Sequence, residues 1–260
     1  MNAFNEHLQL ANSMLDETGN LARRYFMQDV NVNQKSDASP VTIADIEIEA
    51  LIRERITSAY PQHGILGEEH ASINLSAEYC WVVDPIDGTK SFISGMPIWG
   101  TLLALLKNGR PLLGIVDVPA LRERYVGTYD GRTEKNGTSI STSSCQELSN
   151  CNLFATSPDM FSNSEFKMFD ALSKRARFRR FGGDCYSYVM LAAGKVDAVV
   201  EAGLKPYDYL PIVPVVNGAG GVITDWNGNA LTPESNGRVI AAATPALHQA
   251  LLEETSKLEP

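Results

Sequence analysis

Three patterns place this 260-residue chain in a mixed α/β fold class. Apolar residues recur at helical spacing over two long N-terminal stretches. Three apolar runs joined by short turns follow, which reads as an antiparallel meander. The second half then alternates helix and strand. The length suits one large α/β domain built of two fused halves, about 1–140 and about 141–260.

Residues 3–28 form the first expected helix, because Leu8, Ala11, Leu15, Leu21, Ala22 and Tyr25 share one face. A second is expected over 42–59, with Ile46, Ile48, Leu51, Ile52 and Ile56 as its apolar positions. Thr42 is its N-cap and Asp45 the acidic member of a capping box. Ile65-Leu66 looks like a strand ending in Gly67-Glu68-Glu69. Trp81-Val82-Val83 reads as a buried strand, and Pro85 should stop it near Asp84, since proline cannot continue a central ladder. Gly88-Thr89 then opens a helix whose free amides suit an anion. The meander covers 102–106, 111–118 and 124–129, turning at Asn108-Gly109 and Pro119-Ala120. Residues 132–150, rich in Ser, Thr and Asn, read as a connection. Helix and strand alternate through 166–176, 186–193, 198–201 and 208–217. In the last stretch Pro211 fits a first helical turn, and Pro214 should kink or shorten the helix.

Composition narrows the functions. Hydrophobic residues make up 44%, enough for a sizeable core, and the formal charge is −9. That charge disfavours nucleic acid, which needs a basic face. A small phosphate ester stays compatible, because divalent cations can invert the local field. The one basic cluster, Lys174-Arg175 with Arg177, Arg179 and Arg180, reads as a solvated face. Cys80, Cys145, Cys151 and Cys185 form no C-x-x-C, so reduced thiols are expected. His7, His63, His70 and His248 lack zinc spacing. With no secretory leader pattern and no apolar run near the roughly 18 residues that span a bilayer, a soluble cytoplasmic protein is expected.

The densest chemical signal is Asp84-Pro85-Ile86-Asp87-Gly88-Thr89. It sets two hard oxygen ligands beside a phosphate-sized anion site, which suits magnesium-assisted phosphoryl chemistry. The D-x-x-D spacing differs from the D-x-D of haloacid-dehalogenase-type phosphatases, so both carboxylates read as metal ligands rather than a nucleophile. Gly88-Thr89-Lys90-Ser91 lacks the P-loop arrangement. Each acidic group also has a plainer reading. Turn chemistry alone favours Asp, Pro and Gly; Glu68-Glu69 fits a solvated turn, Asp45 a capping box, and Asp208 an N-cap.

Taken together, Gly67-Glu68-Glu69, Asp84-Pro85-Ile86-Asp87-Gly88-Thr89, Tyr207-Asp208 and Gly220-Gly221 make the chain resemble the inositol monophosphatase superfamily over nearly its whole length. Its histidinol-phosphate phosphatase branch is the nearest in pattern. Gly88-Thr89-Lys90-Ser91-Phe92-Ile93-Ser94-Gly95-Met96-Pro97, Gly182-Gly183-Asp184-Cys185-Tyr186 and Glu201-Ala202-Gly203-Leu204-Lys205-Pro206-Tyr207-Asp208 carry that likeness. The resemblance implies a layered α/β/α/β/α sandwich, a homodimer, and two or three Mg2+ ions per site. One metal would be held by Glu68, Asp84 and the Ile86 carbonyl; a second by Asp84, Asp87 and Asp208. Glu68 and Thr89 would orient the attacking water with help from Asp45, and the Gly88 and Thr89 amides would bind phosphate.

Specificity is expected from the second half, where Gly182, Gly183 and Asp184 would line the pocket beside Glu201. Two carboxylates suit the amine of L-histidinol phosphate through charge-assisted hydrogen bonds. Inositol 1-phosphate and 3′-phosphoadenosine nucleotides are the alternatives within the superfamily. A non-catalytic binding protein on the same fold is the alternative outside it, and the full set Glu68, Asp84, Asp87 and Asp208 argues against that. Phe92, Trp99 and Tyr186 are candidates to pack on an imidazole, or else core residues. Tyr207 replaces the usual Trp, and Asn217 stands where Glu is common, which puts fine specificity in question.

Overall fold

The structure is a computed structural model and describes residues 3–28, 32–34 and 40–256. Helices α1 (Ala3–Tyr25) and α2 (Ile43–Ala59) flank a short antiparallel pair, β1 (Val32–Gln34) and β2 (Pro40–Thr42). Next come β3 (Gly64–Gly67), β4 (Tyr79–Asp87), α3 (Thr89–Ile93), β5 (Gly100–Lys107), β6 (Arg110–Val118), β7 (Glu123–Thr128), β8 (Arg132–Lys135) and β9 (Thr138–Ser139). Strands β3 to β9 form one sheet in chain order, parallel only between β3 and β4. The second half contains β10 (Asn152–Ala155), α4 (Asn163–Ser173), β11 (Phe178–Phe181), α5 (Asp184–Ala192), β12 (Ala198–Glu201), α6 (Pro206–Tyr209), α7 (Ile212–Gly218), β13 (Val222–Asp225), β14 (Val239–Ala242) and α8 (Pro245–Thr255). Its sheet runs β11-β10-β12-β14-β13.

Packing stacks these elements in five layers. Ala11, Met14 and Leu15 of α1 and Ile48, Ile52 and Ile56 of α2 bury against Trp81, Val83, Leu103 and Leu105 of the large sheet. The alternate residues Val82, Leu102, Ala104 and Val116 face the other way. They meet Tyr188 and Val189 of α5 and Val215 and Val216 of α7, which in turn cover Val199 and Ala241 of the small sheet. Phe169, Leu172, Leu247 and Leu251 of α4 and α8 close its far face over Leu153, Val200 and Ile240. Because both sheets are covered on both faces, their strands read as near-continuous apolar runs. Each fully buried Leu, Ile or Val side chain in these layers contributes about 1.5–3 kcal/mol.

Several local expectations change. Strand β4 continues through Pro85 to Asp87, because its pairing with β5 breaks register between Asp84 and Asp87. A bulge removes the need for a proline donor there and bends the strand end. The segment read as a connection contains the β8–β9 hairpin, which extends the large sheet. Phe178–Phe181, within the basic cluster, is the edge strand β11 with Arg179 and Arg180 exposed. The expected 208–217 helix divides into α6 and α7, with Pro211 at the N-cap of α7. Pro214 falls in the first turn of α7, where the missing N–H has no intrahelical acceptor to lose. On α2 the buried stripe is Ala44, Ile48, Ile52 and Ile56, while Ile46 is exposed. Among the described residues no helix is long and apolar enough to cross a membrane.

Candidate active site

The ends of β3 and β4, the start of α2, and the α5 and α6 turns converge on one group of carboxylates. Carboxylate oxygens of Asp84, Asp87 and Asp208 all lie within 4.8 Å of one another. Asp84 is 2% exposed, and its Oδ1 is buried without a hydrogen-bond partner. Burial is the main cause that pushes the Asp84 carboxyl well above the usual range, followed by the charges of Glu68, Asp87 and Asp208. Asp87 is raised the same way, by burial and then by Asp184 and Asp208, although its Oδ2 accepts the Cys185 amide at 2.6 Å. Asp208 is pushed up to about 7, chiefly by burial, with Glu68 and Glu201 adding to it.

Asp208 is not the N-cap of its helix. Lys205 holds that position, and Asp208 at the third helical residue accepts the Lys205 amide at 2.7 Å. Only Oδ2 is used in this bond, so capping and membership of the cluster coexist. Asp45 repeats the device. Its Oδ2 accepts the Thr42 amide at 2.8 Å and the Thr42 hydroxyl at 2.6 Å, while Oδ1 is buried with no partner. Burial raises its carboxyl, and the charge of Glu68 adds to the shift. Asp45 therefore lies within electrostatic reach of the cluster through Glu68.

Gly88 adopts φ 83°, which favours glycine, and begins the short helix α3. A Cβ there would lie 2.9 Å from Asp184 Oδ2, so the backbone at Gly88 passes directly against the Asp184 carboxylate. The Thr89 hydroxyl donates to the Ile86 carbonyl at 3.1 Å. First-turn amides at 88 and 89 face no intrahelical carbonyl and are free for an anion. Asp184, itself at φ 43°, accepts the Ser91 hydroxyl at 2.8 Å and is raised mainly by burial. Gly183, buried at the N-cap of α5, precedes it. Glu201 closes the other wall. Its two oxygens accept the Thr156 amide at 2.6 Å and the Tyr188 hydroxyl at 2.9 Å, and burial pushes it up to about 7. Asp87, Asp184, Glu201, Asp208 and Tyr188 line one cavity of about 60 Å3. A larger cavity, about 600 Å3 between α1 and the β6–β7 region, is lined by Arg23, Asp117 and Arg124 and contains none of these carboxylates.

The donor set fits a hard divalent cation. Several carboxylates at this spacing repel one another unless protonated or bridged by positive charge. Carboxylate and carbonyl oxygen is the chemistry Mg2+ prefers. Of the expected ligands, Asp84 and Asp87 from β4 and Asp208 from α6 meet directly, and Glu68, just after β3, lies close enough for its charge to raise Asp84 and Asp208.

Two open alternatives resolve towards the plainer reading. Phe92 and Trp99 are core residues, packed edge-to-face at 4.9 Å with Phe26 against both, so they do not line the cavity. Tyr186 is half-buried and donates to Glu123 at 3.2 Å. Asn217 is exposed at the end of α7 and outside the cavity, so the change from Glu there removes no cavity carboxylate. Tyr207 is half-buried beside Glu68, Asp84 and Asp208, and its phenol is raised by burial and by those charges. The sequence reading did not find Tyr188, Thr156 and Ser91, which tie down the pocket acids. A lone Tyr, Thr or Ser carries no pattern that could have marked it.

Comparisons with known proteins identify the family. The model of the inositol monophosphatase family matches residues 5–259. The bifunctional phosphatase IMPL2 of Arabidopsis thaliana is 45% identical over 94% of this chain and 73% of its own length. A histidinol-phosphatase of Chlorobaculum parvum is 33% identical, covering 90% of this chain and 91% of its own. A solved structure of an inositol monophosphatase from Zymomonas mobilis superposes with a TM-score of 0.90 at 39% identity, covering 98% of this chain and 100% of that one. With the family model spanning nearly the whole chain and the acidic motifs meeting in one cluster, this chain belongs to the inositol monophosphatase family.

Proposed function

We propose that this phosphatase hydrolyses L-histidinol phosphate to L-histidinol and phosphate, using Mg2+ held by Glu68, Asp84, Asp87, Asp208 and the Ile86 carbonyl. The observation that carries the reading is the Asp84, Asp87 and Asp208 trio beside a cavity where Asp87 and Asp208 are joined by Asp184 and Glu201. A substrate with phosphate at one end and an ammonium at the other matches that layout. The Chlorobaculum parvum relative, a histidinol-phosphatase, points the same way. The Zymomonas mobilis structure, named an inositol monophosphatase, keeps inositol 1-phosphate as the second reading.

Bound Mg2+ would supply positive charge to the phosphoryl oxygens and lower the pKa of water. The chain's own residues do the rest. The amides of Gly88 and Thr89 take phosphate oxygens, and the φ of Gly88 lets the backbone approach closely. Thr89 Oγ1, fixed on the Ile86 carbonyl, would orient the attacking water together with Glu68. Asp45, behind Glu68, adds negative charge that favours proton withdrawal from that water. Asp184 and Glu201 receive the substrate's amine or imidazole, and a cation there draws both towards the ionised form. Assembly as a homodimer, implied by the family resemblance, is part of the same reading.

The direct test is kcat/KM for phosphate release from histidinol phosphate, inositol 1-phosphate and 3′-phosphoadenosine 5′-phosphate. Preference for histidinol phosphate is expected. A preference for either competitor rejects the substrate and leaves the metal-phosphatase reading in place.

A further inference from the structure

Two residues of α2, Glu49 and Arg53, hold the backbone just after Glu68. Asp45, Glu49 and Arg53 follow one another at four-residue spacing, so they share a stripe of α2 beside the core stripe of Ile48, Ile52 and Ile56. Glu49 is 0% exposed. Its Oε2 accepts the Glu69 amide at 2.7 Å, and its Oε1 accepts the His70 amide at 3.2 Å and Arg53 Nε–H at 2.6 Å. Arg53 continues outward: Nη2 donates to the His70 carbonyl and Nη1 to the Ala71 carbonyl, each at 3.0 Å. On the other side of Glu68, a Cβ on Gly67 would collide with the Glu49 carboxylate, so the chain presses against it there as well. A buried carboxylate with one cation and two amides has its lone pairs met, but an ion pair of this kind contributes little net stability over an apolar pair. What it does provide is a fixed path for residues 67–71.

We propose that Glu49, braced by Arg53, is a positioning residue that sets the Glu68 carboxylate for metal and water. This rests on the reading of Glu68 as a ligand. The clamp also joins Asp45 and Glu68 through one rigid helix, so the two acids move as a unit.

Glu49→Gln tests it. Glutamine keeps the size but has one acceptor oxygen and sets an NH2 against a backbone amide. In the metal-free protein, hydrogen exchange at the amides of Glu69 and His70 should speed up by about tenfold or more while the core strands stay protected. Mg2+ affinity, measured by calorimetric titration, should fall about tenfold to a hundredfold, as for outer groups that orient ligands. With p-nitrophenyl phosphate, kcat should fall at saturating ester with little change in KM. Arg53→Lys keeps the charge and loses the two carbonyl bonds, and it should show a smaller loss in the same direction. If Glu49→Gln does not fold, Arg53→Lys carries the test by the same three readouts. Wild-type affinity for Mg2+ in a variant whose wild type binds the metal would overturn the positioning role, as would weakened binding with residues 69–71 still protected. Wild-type protein that binds no Mg2+ would instead remove the metal reading itself, and the exchange data would still report whether the clamp exists.

Discussion

The two acidic regions of the site differ in how their charges are met. Asp184 and Glu201, on the second-half side, are supplied with protein donors: Ser91 for the first, Thr156 and Tyr188 for the second. Asp84, Asp87 and Asp208 crowd together with few donors, and Asp84 Oδ1 has none. A buried polar atom without a partner costs about 1–3 kcal/mol, and more when charged, so the trio is stable as anions only with an outside cation. The protein finishes the first region itself, which under the proposed function suits recognition of a cation, and leaves the second to be completed by a metal.

The largest effect should come from breaking the unfinished region. Chelation by EDTA should abolish hydrolysis and Mg2+ restore it. Asp84→Asn should cost several kcal/mol of transition-state stabilisation, about a thousandfold in kcat. Asp208→Asn separates capping from catalysis. Asn retains an acceptor for the Lys205 amide, so melting should change by less than about 1 kcal/mol while turnover falls by orders of magnitude. Near-normal turnover in Asp208→Asn would reduce that residue to its structural bond.

A smaller effect is expected from the finished region. Asp184→Asn should remove a charge-assisted contact of about 1.5–3 kcal/mol, or tenfold to a hundredfold in kcat/KM, on histidinol phosphate. On p-nitrophenyl phosphate, which has no cation, the loss should be slight. An equal loss on both esters would assign Asp184 to holding Gly88 and Ser91 in place, and the contrast between the regions would fail.

The smallest effect is on stability against pH. Asp208 and Glu201 each have a folded pKa near 7, above their ordinary 3.8 and 4.5. Groups raised in the folded state contribute stability that is whole below the unfolded value and is lost as pH rises through the folded one. Metal-free protein should therefore lose melting temperature as pH rises from about 4 to about 8. Mg2+ favours the ionised trio and should raise Tm more at about pH 8 than at about pH 5. Glu201→Gln should flatten the slope that remains with Mg2+ present. An unchanged slope in that variant would mean that Glu201 shares the trio's cation.

Much of this was legible in the sequence because it depends on local rules. Helical spacing marked α1 and α2, the Asn108-Gly109 turn marked the meander, and Thr42 with Asp45 made the expected capping box. The motif order carried the family, the layered fold and the ligand candidates. Local rules failed where a neighbour decided the outcome. Pro85 did not end β4, because a bulge against β5 absorbed it.

By itself, then, the sequence determined which residue types could hold a metal and where backbone turns would present them. Tertiary structure decided which acids converge: Asp208 reaches Asp84 only because α6 is folded against β4, and the chain just after Glu68 keeps its path because Glu49 on α2 holds the Glu69 and His70 amides. The physical reason is range. Capping, turns and periodicity act within a few residues, whereas mutual repulsion, burial and donor supply depend on distances in space that no local spacing encodes.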